Sequence, residues 1–320
     1  MREDLLREIE MEYEQLRAEN EREEAYRKAQ ILSGYPDIKQ LVEQRENLVF
    51  DTLRDILNKK ADTGMLPERM ARLSSEIRKK LAENRFPEDY LSPVYRCALC
   101  QDTGYTGNPV KVPCACLKKA YQKKLRERIG LTAEPGTDFD HFDLSVFPSE
   151  KLPGRSYSQR ELMERCREVC ETWAAKYPDT EILDLLLSGK SGLGKTFLLR
   201  CMADLLIRRD INVLMISAYR LLEICRSSYF SNEDDSASDL MSADVLMIDD
   251  LGSEPLMQNV TVEQLFNVLN ERRNRNLSTV ISTNLDMNEF RNRYTERIAS
   301  RLMDRHRCKI LTLEGIDVRI

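Results

Sequence analysis

Apolar and polar positions alternate with three different textures along the chain. Up to about residue 90 the pattern is helical: Leu6, Ile9, Tyr13 and Leu16 follow 3-4-3 spacing, a narrow seam of coiled-coil type. That seam stops early, because Asn20 and Glu23 take its next two positions. A second helix is predicted over 38–59, with Ile38, Leu41, Val42, Leu48, Val49, Leu53 and Ile56 at helical spacing, and a third over 67–84. These helices either pack on each other or form a partner-binding hairpin. From about Phe139 onward the texture changes to short apolar runs alternating with amphipathic segments. Runs such as Ile182 to Ser188, Val245 to Ile248 and "STVISTNLD" are the signature of buried parallel strands, so a doubly wound α/β sheet is predicted there.

Composition bounds what such a chain does. Of 320 residues, 42% are hydrophobic and 32% charged, enough for a core beneath a very polar surface. A net charge of -5 gives no global attraction to nucleic acid or membrane, so any basic surface is local. The start of the chain has no apolar signal region and no run approaches the length of a membrane span, so a cytoplasmic location is expected. Nine cysteines, an odd number, then argue for metal ligation or burial rather than a disulfide framework.

Four of those cysteines are paired by spacing. Cys97 and Cys100 form a C-x2-C knuckle, and Cys114 and Cys116 a C-x-C knuckle, across a gap containing Gly104 and Gly107. Four converging thiolates suit tetrahedral Zn2+, which would supply stability to a segment with little apolar material. The alternative is four free thiols. Cys166, Cys170, Cys201, Cys225 and Cys308 are expected as small core residues. After the cluster, Lys118, Lys119, Lys123, Lys124, Arg126 and Arg128 face only Glu127, which makes either a patch for DNA or RNA phosphates or a solvated helix face.

The stretch Gly189-Lys190-Ser191-Gly192-Leu193-Gly194-Lys195-Thr196, between a strand and a helix, matches G-x-x-x-x-G-K-[ST]. Its glycines let backbone N–H groups approach phosphates, and the following helix directs its positive end at the same anion. Lys195 is positioned for the β and γ phosphates of ATP, and the Thr196 hydroxyl for Mg2+. "ADVLMIDDLGSE" adds Asp249 at a strand end as a second Mg2+ group and Asp250 to polarise the attacking water, with Glu254 a weaker acidic candidate. Asn284, closing the next strand, is placed to sense the γ-phosphate. Ten basic residues stand against four acidic ones between Arg272 and Lys309. Among them Arg297 and Arg301 share a helical face and are candidates to complete a neighbouring subunit's site. Tyr219, Arg220, Arg226, Tyr229 and Phe230 form a possible DNA-facing segment, with core packing the alternative. His141 and His306 have no catalytic context.

The stretches "DFDHFDLSVFP", "GKSGLGKTFLL", "VLMIDDLGSEP", "STNL" and "ERIASRLMD" resemble the ATPase domain of the bacterial replicative helicase loaders of the DnaC/DnaI family and of their relative IstB, the ATP-binding helper of some transposases. The resemblance implies a P-loop AAA+ sheet without a helical lid over 139–320 and a zinc knuckle with its basic helix over 93–130, whereas the first ninety residues match nothing in that family and 1–92 is expected as a helical partner-binding region from its texture alone. It makes Asn284 the sensor asparagine, Arg301 the arginine finger and Arg297 a second candidate, and the leading segment an approach to the adenine. The function it implies is a helicase loader that binds and hydrolyses ATP, self-associates on single-stranded DNA and delivers a replicative ring helicase. Rival readings are a transposase helper, a nucleotide-dependent adaptor with little hydrolysis, and a P-loop kinase, for which no acceptor segment is visible. Asp250 stands where many AAA+ proteins carry Glu, so slow hydrolysis is expected, and without a helical lid the nucleotide would be clamped chiefly by a neighbouring subunit, so turnover is expected to depend on assembly or DNA.

Overall fold

A computed structural model describes residues 2–57, 66–131, 136–230, 235–255 and 261–319. The chain divides into two compact units, one of residues 9–117 and one of residues 1–8 with 118–320.

In the first unit, helix α1 (Arg2–Gly34), which belongs to it from residue 9 onward, is followed by α2 (Pro36–Leu57) and α3 (Leu66–Glu83). Ile31, Ile38, Val42, Ile77 and Leu81 form its small core, closed by Tyr35, Phe86 and Tyr90. Phe86 meets Tyr35 edge-on at 5.2 Å between ring centroids. The side chains of Val49, Leu53 and Ile56 lie outside the described residues. Strands β1 (Tyr105–Thr106) and β2 (Val112–Pro113) make a short antiparallel hairpin. Its turn needs Gly107: φ is +93°, and a Cβ there would sit 2.4 Å from the Val110 carbonyl oxygen.

Asn20, the first polar residue to interrupt the α1 seam, does not end its packed face. Asn20 Nδ2 donates to Asp102 Oδ2 at 2.9 Å, Arg17 donates to the Asp102 carbonyl, and Glu24 accepts the Val94 N–H at 2.8 Å. The face continues through hydrogen bonds where an apolar count sees a stop.

In the second unit, α4 (Ala115–Arg128) and α5 (Gln159–Lys176) precede an alternation of strands and helices. These are β3 (Asp184–Ser188), α6 (Lys195–Arg208), β4 (Val213–Ser217), α7 (Ala218–Phe230), α8 (Asp235–Ser242), β5 (Val245–Leu251), α9 (Thr261–Asn274), β6 (Ser278–Thr283), α10 (Met287–Leu302) and β7 (Cys308–Thr312). The five strands form one parallel sheet in the order β4-β5-β6-β3-β7. Every residue of β3 and β6 is buried, as expected when helices cover both faces of a parallel sheet. β3 starts at Asp184 rather than Ile182. Its buried carboxylate is held by Arg307 Nε at 2.7 Å and the Thr279 N–H at 2.8 Å, which offsets the cost of burial. No helix follows β7 among the described residues, and none of them forms a helix long and apolar enough to cross a membrane.

Two features fix local geometry in the second unit. Capping boxes start α5 (Ser158 with Glu161) and α10 (Asp286 with Glu289), fixing where each helix begins. The β5–β6 register shifts between Ile248 and Leu251, and Asp250 there has a φ of +59°. Such an irregularity re-aims side chains, and Asp tolerates left-handed backbone better than most residues.

Several of the basic residues counted in the sequence have acidic or backbone partners. Arg272 is fully buried, donating to the carbonyls of Leu240, Ala243 and Ser278, so it is a core tie between α8, α9 and β6 and not a surface cation. Arg273 pairs with Asp304 at 2.6 Å. In α4, Lys118 pairs with Asp210 (2.9 Å), Lys124 with Glu8 (3.3 Å) and Arg126 with Asp204 (2.9 Å). Cys166, Cys170, Cys201 and Cys308 are buried, and burial pushes the Cys166 thiol up to about 11. The side chains of Cys225, Arg226, Tyr229 and Phe230 lie outside the described residues, while Tyr219 is exposed and Arg220 pairs with Glu223.

Candidate nucleotide site and cysteine cluster

The carboxyl ends of β3, β6 and β5 face a cavity of about 700 Å3. Ser191 to Thr196, Asp249, Asp250, Ser282 and Asn284 line its polar side, and Phe142, Val146 and Phe147 its apolar side. The loop at its floor is shaped by glycine. Gly194 is the N-cap of α6 with φ +87°, and no side chain caps the first N–H groups, so they are available to an anion. At Gly189 a Cβ would lie 2.4 Å from the Leu313 carbonyl oxygen.

Lys195 is buried, and its ammonium donates to the carbonyls of Gly189 (2.6 Å) and Lys190 (2.7 Å) and to Asn284 Oδ1 (2.7 Å). Burial lowers its pKa from the ordinary lysine value, opposed by Asp250 and Asp249. The Thr196 hydroxyl lies 3.0 and 3.1 Å from the two Asp249 oxygens, and Ser282 donates to Asp249 Oδ1 at 2.5 Å. Asn284 donates its amide to Asp250 while accepting from Lys195, so one side chain links the ammonium and the carboxylate. The Asp250 N–H donates to Ser282 Oγ at 2.8 Å. Thr196 and Asp249 thus offer a hydroxyl and a carboxylate side by side, the hard oxygen set that Mg2+ favours.

Glu254 does not join this group. It is buried, accepts from the Gly252 N–H at 2.7 Å and from the Tyr294 hydroxyl, and has Arg293 against it at 3.7 Å, so it braces α10. Arg301 donates to Asn270 Oδ1 at 2.9 Å, and both Arg297 and Arg301 stack on the Phe266 ring at 4.6 and 4.3 Å. Neither lines the cavity. Ser282 and Arg319 do, and the sequence pattern did not single them out for the site; His141 also lines it, within the leading segment expected near the adenine.

A family profile described as IstB-like ATP binding protein matches residues 157–320. The chain belongs to the IstB-like ATP-binding family. The strand order with the P-loop after β3 gives its ATP-binding unit the doubly wound parallel sheet expected of a P-loop fold. Among curated relatives, the chain is 29% identical over 175 residues to the replicative helicase loader DnaI of Bacillus subtilis, covering 50% of this chain and 56% of DnaI. It is 26% identical over 154 residues to the replicative helicase loader DnaC of Escherichia coli K12, covering 47% of this chain and 58% of DnaC. The chain therefore spans little more than half the length of these relatives. A crystal structure of the DnaC helicase loader aligns with 55% of this chain and 98% of its own, at 18% identity and a TM-score of 0.45.

The first unit carries the second candidate site. The sulfurs of Cys97, Cys100, Cys114 and Cys116 all lie within 4.8 Å of one another. Cys97 and Cys114 are 3.8 Å apart and Cys100 and Cys116 3.4 Å, against about 3.8 Å for the edge of a tetrahedron with zinc–sulfur bonds near 2.3 Å. The donor set and spacing fit Zn2+. Asp102, 1% exposed, accepts the N–H groups of Arg96 and Cys97 at 2.8 Å each and fixes the first knuckle. The backbone N–H of Cys100 draws the Cys97 thiol down to about 7, while burial pushes Cys116 up to about 12. Burial and a hydrogen bond to Cys116 raise the Tyr13 phenol above its ordinary range, so α1 contributes a neighbour to the cluster.

Proposed function

We propose that this chain is an ATP-hydrolysing helicase loader, which assembles on single-stranded DNA and delivers a replicative ring helicase. The observation that carries the hydrolytic part is the link Lys195–Asn284–Asp250 beside the Thr196–Asp249 pair, at the mouth of a cavity with an uncapped helix N-terminus. The loop amides of Gly189 to Thr196 cradle the phosphates, and Lys195 exchanges its carbonyl partners for phosphate oxygens. Thr196 and Asp249 would hold Mg2+, which when bound offsets the charge of the β and γ phosphates. Asp250 orients the attacking water and accepts its proton, and Asn284 keeps that carboxylate in register with Lys195. Phe142 and Phe147 give the base an apolar wall. Arg301, or Arg297 beside it, serves the site of a neighbouring copy, since both lie away from the chain's own cavity.

The helicase part is supported by the similarity to DnaI and DnaC and by a separate helical, cysteine-bearing unit that serves as the partner-binding region. Two measurements on the full chain test the reading. Asp250→Asn, which suits the same left-handed backbone, should abolish phosphate release while nucleotide still binds; unchanged release contradicts hydrolysis at this site. Affinity capture with the full chain should recover a replicative ring helicase in the presence of ATP. Capture of a transposase instead would place the chain with the transposition helpers.

A further inference from the structure

Glu254 is a buried carboxylate four residues past Asp250, and it does not line the nucleotide cavity. The turn that joins the two is tight. Ser253 donates its N–H and its hydroxyl to the Asp250 carbonyl, at 3.2 and 2.8 Å, and the Gly252 N–H donates to Glu254 Oε2 at 2.7 Å. Gly252 has a φ of +113°, and a Cβ there would lie 2.8 Å from Leu285 Cδ1, so the turn is pressed against the residues that follow β6. Asp250 and Glu254 are thus parts of one compact element.

The other oxygen of Glu254 faces α10. Tyr294, fully buried, donates its hydroxyl to Oε1, while Arg293 donates to the Glu254 carbonyl and keeps its guanidinium 3.7 Å from Oε1. Burying a carboxylate is costly unless it is well hydrogen-bonded, and these donors come from the turn and from the helix alike. The two elements therefore cannot part without stranding a charge. Directed donors at adjacent helix positions also specify how α10 is turned about its axis, which apolar packing does less sharply. Arg293, Arg297 and Arg301 recur at four-residue spacing and run along one side of that helix. Arg297 and Arg301 rest on the Phe266 ring, a contact weak enough at a partly exposed site to be exchanged for a new partner.

We propose that Glu254 is a positioning residue for hydrolysis in an adjoining copy: by gripping Arg293 and Tyr294 it holds α10 so that Arg297 and Arg301 are presented to that copy's site. The turn that sets a copy's own Asp250 then also sets the arginines it lends. This inference rests on the reading of Arg297 and Arg301 as groups that serve a neighbour.

The test is phosphate release by mixed copies of the full chain. Tyr294→Phe removes the hydroxyl and keeps the ring that packs on Phe290 at 4.8 Å between centroids; Glu254→Gln keeps the side-chain shape and drops the charge beside Arg293. Each variant alone should lose about ten- to a hundredfold in kcat, with KM for ATP within about a factor of two. Mixed with an equal amount of Asp250→Asn, whose own site is inert but whose α10 is intact, each should regain roughly half the parental rate per active copy, because about half of its neighbours then present their arginines correctly. Unchanged kcat in both variants overturns the proposal. So does a loss that mixing fails to restore, since the defect then lies in the variant's own site. An Arg297→Ala/Arg301→Ala double variant mixed with Asp250→Asn separates the two levels. Recovery there without recovery of Tyr294→Phe or Glu254→Gln removes the role of Glu254 alone, whereas no recovery there removes the reading of lent arginines and the proposal with it.

Discussion

The glycine loop of the ATP-binding unit and the cysteine loop of the helical unit are both polar, glycine-bearing turns, yet they are held by different means. The first rests on β3, β5 and β6, whose buried residues anchor it from below, and on the segment 313–319 alongside it. The second has two strands of two residues each, a core of few aliphatic side chains, and the exposed Leu99 and Val110 in the knuckle region itself. Its order comes from four sulfurs, from Asp102 and from hydrogen bonds to α1. On the proposed reading, the first loop is held by the sheet beneath it and the second by a metal that its four cysteines would bind.

Removing the metal breaks this comparison most severely. A strong zinc chelator should cost the amides of residues 96–116 on the order of a thousandfold or more in hydrogen-exchange protection, while those of β3 and β6 keep theirs. Equal loss in both units, or none in either, contradicts the division. The converse perturbation, Leu186→Ala in the centre of β3, should destabilise the ATP-binding unit by about 2–5 kcal/mol and leave the bound metal in place, as read by denaturant melts with zinc analysis. Asp102→Ala should have a smaller effect, about 1–3 kcal/mol, because it strands the N–H groups of Arg96 and Cys97. It should also weaken zinc binding by roughly 10–100-fold in a competition assay, with nucleotide binding unchanged. The smallest expected change is in Arg301→Ala, which should leave ATP affinity within about a factor of two, because the half-buried guanidinium bonds Asn270 and stacks on Phe266 away from the cavity, and lower turnover only where copies assemble.

What the sequence revealed follows from what is written contiguously. The P-loop is legible because strand, glycines, lysine and helix are adjacent, and Asp249 because it directly follows the apolar run Val245 to Ile248, although β5 itself continues to Leu251. The cysteine knuckles are legible by spacing. Arg272 was not, since a count of charges carries no information on burial, and five backbone and side-chain acceptors brought together from α8, the α8–β5 connection and β6 absorb that guanidinium. Asn20 looked like the end of a seam because periodicity registers only apolar side chains, whereas its amide reaches Asp102. Ser282 is hidden within an apolar strand pattern, and Arg319 reaches Ser191 across 128 positions of sequence, a pairing that only the folded sheet creates.

The most direct test of the central claim, that a triphosphate held by this loop organises the second unit, is equilibrium ATP binding by Lys195→Ala, with circular dichroism to verify the fold. Three carbonyl partners show where the ammonium waits, and its removal should weaken ATP about a hundredfold with the helical signal intact. Undiminished affinity in a folded Lys195→Ala protein would contradict the account.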